Sequence, residues 1–169
     1  MVGEILVKSD CLFDGYYNRP DLTAKAVVDW YHTGDLGFFL DDELFVVGRK
    51  KDLIIVGGEN LYPQDIEEIA DSHPAIHDGR VIALGLYNPD LGTEEILVVA
   101  EVESEELWAN AEQIEREIRA QVAAGLGVTA GTILLKPPKW IVKSTAGKAP
   151  RSTTLEKLKK EHPKLNIES

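Results

Sequence analysis

The run Gly48-Arg49-Lys50-Lys51-Asp52 constrains this chain most, because it splits an apolar, strand-like stretch in two. Phe45-Val46-Val47 before it and Leu53-Ile54-Ile55-Val56 after it both read as strands. Consecutive charged side chains between them cannot enter a core unpaired, so the segment reads as a solvated junction. It divides the 169 residues into a first stretch, 1–48, a hinge, 49–52, and a second stretch, 53–169.

The first stretch begins a strand at once, at Gly3-Glu4-Ile5-Leu6-Val7, and so reads as a piece of a longer chain. Asp10 to Asp21 is rich in turn residues, with Gly15, Asn18 and Pro20 as punctuation. Leu22 to Val28 predicts a short helix. A hairpin follows: Gly37 to Leu40, the turn Asp41-Asp42, and Glu43 to Val47. This stretch is all-β apart from one helix and too short to close a barrel. Its apolar residues are therefore expected to be left on the surface, where they could pair with a second copy.

The second stretch mixes strands and helices without regular alternation. Leu53 to Val56 is closed by Gly57-Gly58-Glu59-Asn60, and Pro63 suits the first turn of a helix carrying Ile66, Ile69 and Ala70. Val81–Leu86 and Glu95–Val102 predict an antiparallel pair around Tyr87 to Gly92. Glu106 to Ala124 predicts a helix with Leu107, Ile114, Ile118 and Val122 on one stripe, stopped by Gly125 and Gly127. Thr132–Leu135 and Trp140–Val142 read as short strands, and Ser152–Lys160 as a last helix. The class expected is α+β: a short mixed sheet with flanking helices, preceded by an all-β fragment.

Net charge is −11, which argues against a nucleic-acid binder held by phosphate contacts. The charge is unevenly placed. Leu53 to Leu135 holds 16 acidic and 3 basic residues, whereas Lys136 to Ser169 holds 9 basic and 3 acidic ones. The basic tail and Arg49-Lys50-Lys51 read either as solvated turns or as two segments that converge on a small polyanion. No apolar run approaches the ~18 residues of a membrane span. A single cysteine, Cys11, favours a cytoplasmic setting, and with no base beside it a buried, inert role is expected. His73 and His77 have helical zinc-ligand spacing, but Pro74 lies between them and no third ligand is near, so no metal site is assigned. The tryptophans Trp30, Trp108 and Trp140 read as packing residues.

Three motifs carry possible chemistry. Thr33-Gly34-Asp35 places a carboxylate beside glycine, a pattern that can accept hydrogen bonds from a ribose diol. Alone, such an aspartate more often caps its own turn. Arg49 offers a guanidinium suited to phosphate or ribose, or simply to a surface ion pair. Ser144-Thr145-Ala146-Gly147-Lys148 is a polar glycine-containing loop with a lysine, but not a Walker A loop, because its first glycine is missing.

The order of these segments is more specific than any one of them. Gly3-Glu4-Ile5, Gly15-Tyr16-Tyr17-Asn18-Arg19-Pro20, Trp30-Tyr31-His32-Thr33-Gly34-Asp35, Gly48 to Ile55, Gly57 to Glu68, and Ser144 to Lys148 occur in sequence. Together they resemble the C-terminal portion of the adenylate-forming superfamily, which includes acyl-CoA synthetases and fatty acyl-AMP ligases. The resemblance implies a small C-terminal lid domain behind a fragment of a large N-terminal one. It implies ATP-dependent activation of a carboxylic acid, of the fatty class, to an acyl-adenylate and transfer of the acyl group to CoA. By motif match, Asp35 and Arg49 bind nucleotide, Lys51 lies at the hinge, and Gly57 and Gly58 admit the pantetheine arm. Lys148 is the catalytic cation between carboxylate and α-phosphate.

The family's phosphate loop and acyl pocket lie upstream of the matched segments, so ATP with its Mg²⁺ would be bound mainly by the N-terminal adenylation domain. This chain alone is not expected to adenylate anything. Val142 before Lys143, and Asp29-Trp30, depart mildly from the family pattern. Tyr62-Pro63-Gln64-Asp65-Ile66-Glu67 is similar to fatty acyl-AMP ligases, which deliver to an acyl carrier protein, while Gly57-Gly58-Glu59-Asn60 is similar to CoA ligases. The CoA reading leads. A non-enzymatic lid acting in trans is the remaining alternative, and retention of Asp35, Arg49 and Lys148 speaks against it.

Overall fold

The computed structural model describes residues 1–27, 29–143 and 149–163. The chain divides into two compact units, Met1–Asp52 and Leu53–Ser169.

In the first unit β1 (Gly3–Val7), β2 (Tyr31–Leu40) and β3 (Glu43–Arg49) form an antiparallel sheet in the order β1-β2-β3. The hairpin is longer than the sequence suggests and reaches back to Tyr31. Its turn is Asp41-Asp42, with φ of 49° and 63°. Two successive left-handed residues match the strand twist, and aspartate tolerates that region. The short helix α1 spans Pro20–Ala26, two residues earlier than predicted, because Pro20 supplies a preset first turn. Phe39, Leu40, Leu44 and Val46 are exposed, as a sheet with so few partners would leave them. Arg49 closes β3, and Lys50–Asp52 form a single 3-10 turn.

In the second unit, β4 (Ile54–Val56) and β5 (Glu59–Leu61) make a small hairpin, followed by α2 (Pro63–Asp71). β6 (Ile76–Asn88), β7 (Thr93–Val102) and β8 (Thr132–Lys136) form a mixed sheet with β7 in the middle. β6–β7 is antiparallel and β7–β8 parallel, the latter joined by the crossover helix α3 (Ala111–Leu126). The final helix α4 spans Arg151–Glu161.

β7 explains the layering. Ile96, Val98, Ala100 and Val102 face one way and pack with Ile66 and Ala70 of α2 and Ile114, Ile118 and Val122 of α3. Leu97 and Val99 face the other way and pack with Leu158 of α4 and with Trp140 and Ile141 of the segment after β8. A strand covered on both sides reads as a continuous apolar run, which Ile96 to Ala100 is.

Several expectations are corrected. The helix foreseen from Glu106 begins as a 3-10 segment, Glu105–Asn110, because Asn110 (φ −110°, ψ 13°) breaks the α register. Gly125 is no stop. It lies inside α3, where a Cβ would come within 2.7 Å of Ile69 Cδ1, so it serves close helix packing. Gly127 alone ends α3, at φ 71°. Trp140–Val142 is not a strand: the Trp140 amide turns back to the Pro137 carbonyl, and Glu101, Arg80 and Lys157 side chains, not a neighbouring strand, meet the Ile141 amide and the Ile141 and Trp140 carbonyls. Cys11 is exposed, in a turn after β1 where its sulfur meets Ser9 Oγ at 2.9 Å. Trp30 and Trp108 are likewise exposed, leaving Trp140 as the one tryptophan of the three that packs into a core.

Ile118 is fully buried between α2 and the sheet. Ile118→Ala should lower unfolding free energy by about 3 kcal/mol, measured by urea denaturation followed by circular dichroism.

Candidate functional site

In the first unit the structure brings Asp35 and Arg49 together. They are cross-strand partners on β2 and β3, with Arg49 Nε 3.1 Å from Asp35 Oδ1. Both side chains keep solvent access, at 34% for Asp35 and 59% for Arg49. Among the described residues Asp35 does not cap its own turn. The ion pair is its carboxylate contact, so the surface-pair reading of Arg49 holds without excluding ligand binding.

A β-bulge aims this pair. Pairing of β1 with β2 slips between Leu6↔His32 and Glu4↔Leu36, with Thr33-Gly34-Asp35 looping out between them. Gly34 sits at φ 74°, which favours glycine, although a Cβ there would meet open space. The ladder bonds lost at the bulge are replaced by side chains. Thr33 Oγ1 donates to the Ile5 carbonyl at 2.8 Å and accepts the Asp35 amide at 3.0 Å, and Glu4 Oε1 accepts the Gly34 amide at 3.3 Å. Glu4 also meets Lys50 Nζ at 3.4 Å. Burial works to raise the Glu4 pKa, but Lys50, the Gly34 amide and His32 together hold it below the ordinary carboxylate value.

Beside the bulge, the Tyr31 hydroxyl lies 3.2 Å from that of Tyr16, and Phe13 packs edge-on against both rings. The bond to Tyr16, then burial and the negative charge of Asp35, raise the Tyr31 pKa, while Arg49 works to lower it. Sequence reading missed Thr33, Glu4 and Tyr31 as supports. The only signal for them is their adjacency to Thr-Gly-Asp and to the opening strand.

In the second unit Gly57 and Gly58 form the two-residue turn between Val56 and Glu59, at φ 60° and 89°. The turn needs left-handed residues, and a Cβ at either position would touch nothing within 4 Å, so the backbone is open to approach. Two side chains from the start of β7 fasten the hairpin. Glu94 Oε2 accepts the Ile55 amide at 2.6 Å, and Thr93 Oγ1 accepts the Gly57 amide at 2.8 Å while donating to the Ile55 carbonyl at 3.0 Å. Gly85 makes space for this, since a Cβ there would lie 2.6 Å from Glu94 Oε2. No sequence pattern marks Thr93 or Glu94.

Lys51 is exposed on the 3-10 turn that ends the first unit. Lys148, with the rest of Ser144 to Lys148, lies outside the described residues. Beyond it, Arg151 Nη2 lies 2.7 and 2.8 Å from the two oxygens of Glu67, which also accepts the Ala83 amide. Part of the basic tail is engaged internally. Lys136 and Lys157 lie 4.6 and 4.1 Å from the centre of the Trp140 ring, and Glu161 binds both Lys136 and the indole nitrogen at 2.8 Å.

His73 is buried, accepting the Ala75 amide on Nδ1 and so donating from Nε2 to Glu117 at 2.8 Å. Among the described residues, no group of three His, Cys, Asp or Glu side chains could hold a metal ion, and no helix is long and apolar enough to cross a membrane.

No family model matches the chain. It is 34% identical over 92% of its length to FadD21 of Mycobacterium tuberculosis, named as a fatty-acid–CoA ligase, and spans 29% of that protein. It is 33% identical over 95% of its length to the long-chain-fatty-acid–AMP ligase FadD26 of the same organism, spanning 30% of it. Solved fatty acyl-adenylate ligases from E. coli and L. pneumophila match 96% of the chain at 34% identity and a TM-score of 0.78, the match spanning 28% of the solved chain. The chain belongs to the adenylate-forming ligases, as a portion of their C-terminal part, and spans less than a third of the relatives it matches.

Because its folded-state pKa is raised, the stabilisation from the Tyr31 phenol is full below pH 10.0 and is lost as pH rises through the folded value. Tyr16→Phe should therefore lower the pH at which Tyr31 ionises, seen as an earlier transition in an ultraviolet titration at alkaline pH.

Proposed function

We propose that this chain is the nucleotide-gripping edge and lid of an acyl-activating ligase that turns a fatty acid and ATP into an acyl-adenylate and pyrophosphate, then passes the acyl group to the thiol of CoA with release of AMP. The observation that carries the reading is the Asp35–Arg49 pair on its bulge, within a chain homologous to fatty-acid ligases. The carboxylate of Asp35 accepts hydrogen bonds from the ribose diol, and Arg49 both steadies that carboxylate and contacts ribose or phosphate. On this reading Mg²⁺ comes with ATP and is held mainly by the upstream domain that the resemblance implies.

Attack of the acid on the α-phosphate gathers negative charge on oxygen. Lys148 neutralises it, a contribution of about 3 kcal/mol for a group placed against such charge. One small domain can serve two half-reactions by presenting different faces. Lys51, on an exposed single turn at the unit boundary, is where the backbone rotates. Residues 1–48 would then be the end of the large domain, with Phe39, Leu40, Leu44 and Val46 seated against it rather than against a second copy.

For the second half-reaction the open Gly57-Gly58 turn supports a thin pantetheine arm lying along the backbone. The acceptor is CoA on this reading. Delivery to a carrier protein is the second reading, favoured by the Tyr62 to Glu67 segment and by the similarity to an AMP ligase. The full-length protein with ATP, Mg²⁺ and a panel of fatty acids, with and without CoA, separates them by mass spectrometry. Acyl-CoA formed only with CoA supports the first, and acyl-AMP accumulating despite CoA supports the second.

Within that protein, Lys148→Ala should slow adenylation by about 10²–10³-fold while leaving thioester formation from supplied acyl-adenylate nearly intact. Gly58→Val should do the reverse, because φ 89° and the arm's path both exclude a branched side chain. Comparable losses in both half-reactions for either variant would remove its assignment.

A further inference from the structure

Glu101 is a fully buried carboxylate for which the reaction has no use. It lies on β7, the middle strand of the sheet, on the face that α4 covers. Its oxygens accept two backbone amides from the segment that leaves β8: Oε2 that of Lys139, at 3.0 Å, and Oε1 that of Ile141. Arg80 completes the clamp. Its Nη1 donates to the Ile141 carbonyl at 2.6 Å and lies 3.7 Å from Glu101 Oε1. Lys157 Nζ takes the Trp140 carbonyl at 2.7 Å.

A buried charge is costly and is retained where several donors need it. An uncharged residue would fill the same space, but only a carboxylate offers acceptors at both ends of the group. Glutamine would turn an NH₂ toward one of the two amides. What the carboxylate holds is informative. Ile141 stands seven residues before Lys148, and Arg151, bound to Glu67, stands three residues after it. The flanks of the lysine-bearing segment are thus fixed to β7 on one side and to α2 on the other.

We infer that Glu101, with Arg80, is a positioning residue for Lys148, setting where the chain departs toward the segment that carries it. The inference rests on the role given to Lys148 above. A displacement of about 1 Å in a group that must meet a reacting oxygen costs on the order of 10²-fold in rate, so the anchor acts on adenylation selectively.

The test uses Glu101→Gln and Arg80→Lys in the full-length protein, with three readouts: amide hydrogen exchange at Lys139 and Ile141, ATP–pyrophosphate exchange, and thioester formation from supplied acyl-adenylate. Exchange at both amides should quicken. The adenylation kcat should fall by about 10- to 100-fold at little-changed KM for ATP, with the thioester step within about twofold of the parent. Unchanged exchange would refute the anchor. Faster exchange with unchanged adenylation, or equal losses in both half-reactions, would reduce Glu101 to a structural role and overturn the inference. Should Glu101→Gln fail to fold, the half-buried Arg80 side of the clamp still allows Arg80→Lys to give the same three readings. If Lys148→Ala itself leaves adenylation intact, the inference falls through the role of Lys148, while amide exchange still reports whether the anchor exists.

Discussion

The two-sided burial of β7 is the constraint on which the second unit depends. A strand between an antiparallel and a parallel neighbour has its backbone bonds satisfied, and its side chains must then find cover on both faces. α2 and α3 cover one face by ordinary apolar packing. The other is covered by a single helix, α4, with Leu158 as its buried apolar anchor, and by Trp140 and Ile141. That second face is completed by charge: Glu101 beneath, Lys136 and Lys157 on the Trp140 ring, and Glu161 binding the indole. Burial and the bonds from Lys136 and Trp140 act in opposite directions on Glu161, and the bonds prevail, holding its carboxyl below the usual range.

The two faces therefore differ in what they are built to do. The apolar face fixes the sheet. The polar face fixes a backbone path, because hydrogen bonds to amides specify direction where methyl packing specifies only proximity. The same device recurs at the small hairpin, where Thr93 and Glu94 hold Ile55 and Gly57, and in the first unit, where Thr33 and Glu4 repair the bulge beside Asp35. In each place side-chain hydrogen bonds hold an irregular stretch that bears a motif.

Much of the fold was legible because its signals are local. The Gly57-Gly58 turn, Pro63 at a helix start, the Ile114-Ile118-Val122 stripe and Gly127 each express backbone preference or periodicity. The failures share a cause. Trp140-Ile141-Val142 has strand-like composition, but the amides of Lys139 just before it and of Ile141 within it are taken by Glu101, 38 and 40 residues away in sequence, and the Trp140 amide by the Pro137 carbonyl. Gly125 reads as a stop until Ile69 is seen to need its missing Cβ. Cys11 reads as buried because cysteine usually is, yet it lies on a unit with little interior. Asp35 and Arg49 were foreseen as two separate residues, whereas the register that makes them partners depends on a bulge that no single motif reports. Glu101 did leave a trace, as the one charge interrupting the apolar run from Ile96 to Val102.

The turn at Asp41-Asp42 has a further consequence. It sets two negative charges, followed by Glu43, at the tip of a hairpin whose flanks carry Phe39, Leu40, Leu44 and Val46 on the outside. Two such hairpins meeting tip to tip would bring like charges together before their apolar flanks could join. The acids act as gatekeepers in the sense used for aggregation-prone strands. They leave the greasy flanks available to a surface of opposite or neutral charge while making a second copy of the same hairpin a poor match, so the hairpin discourages its own self-assembly.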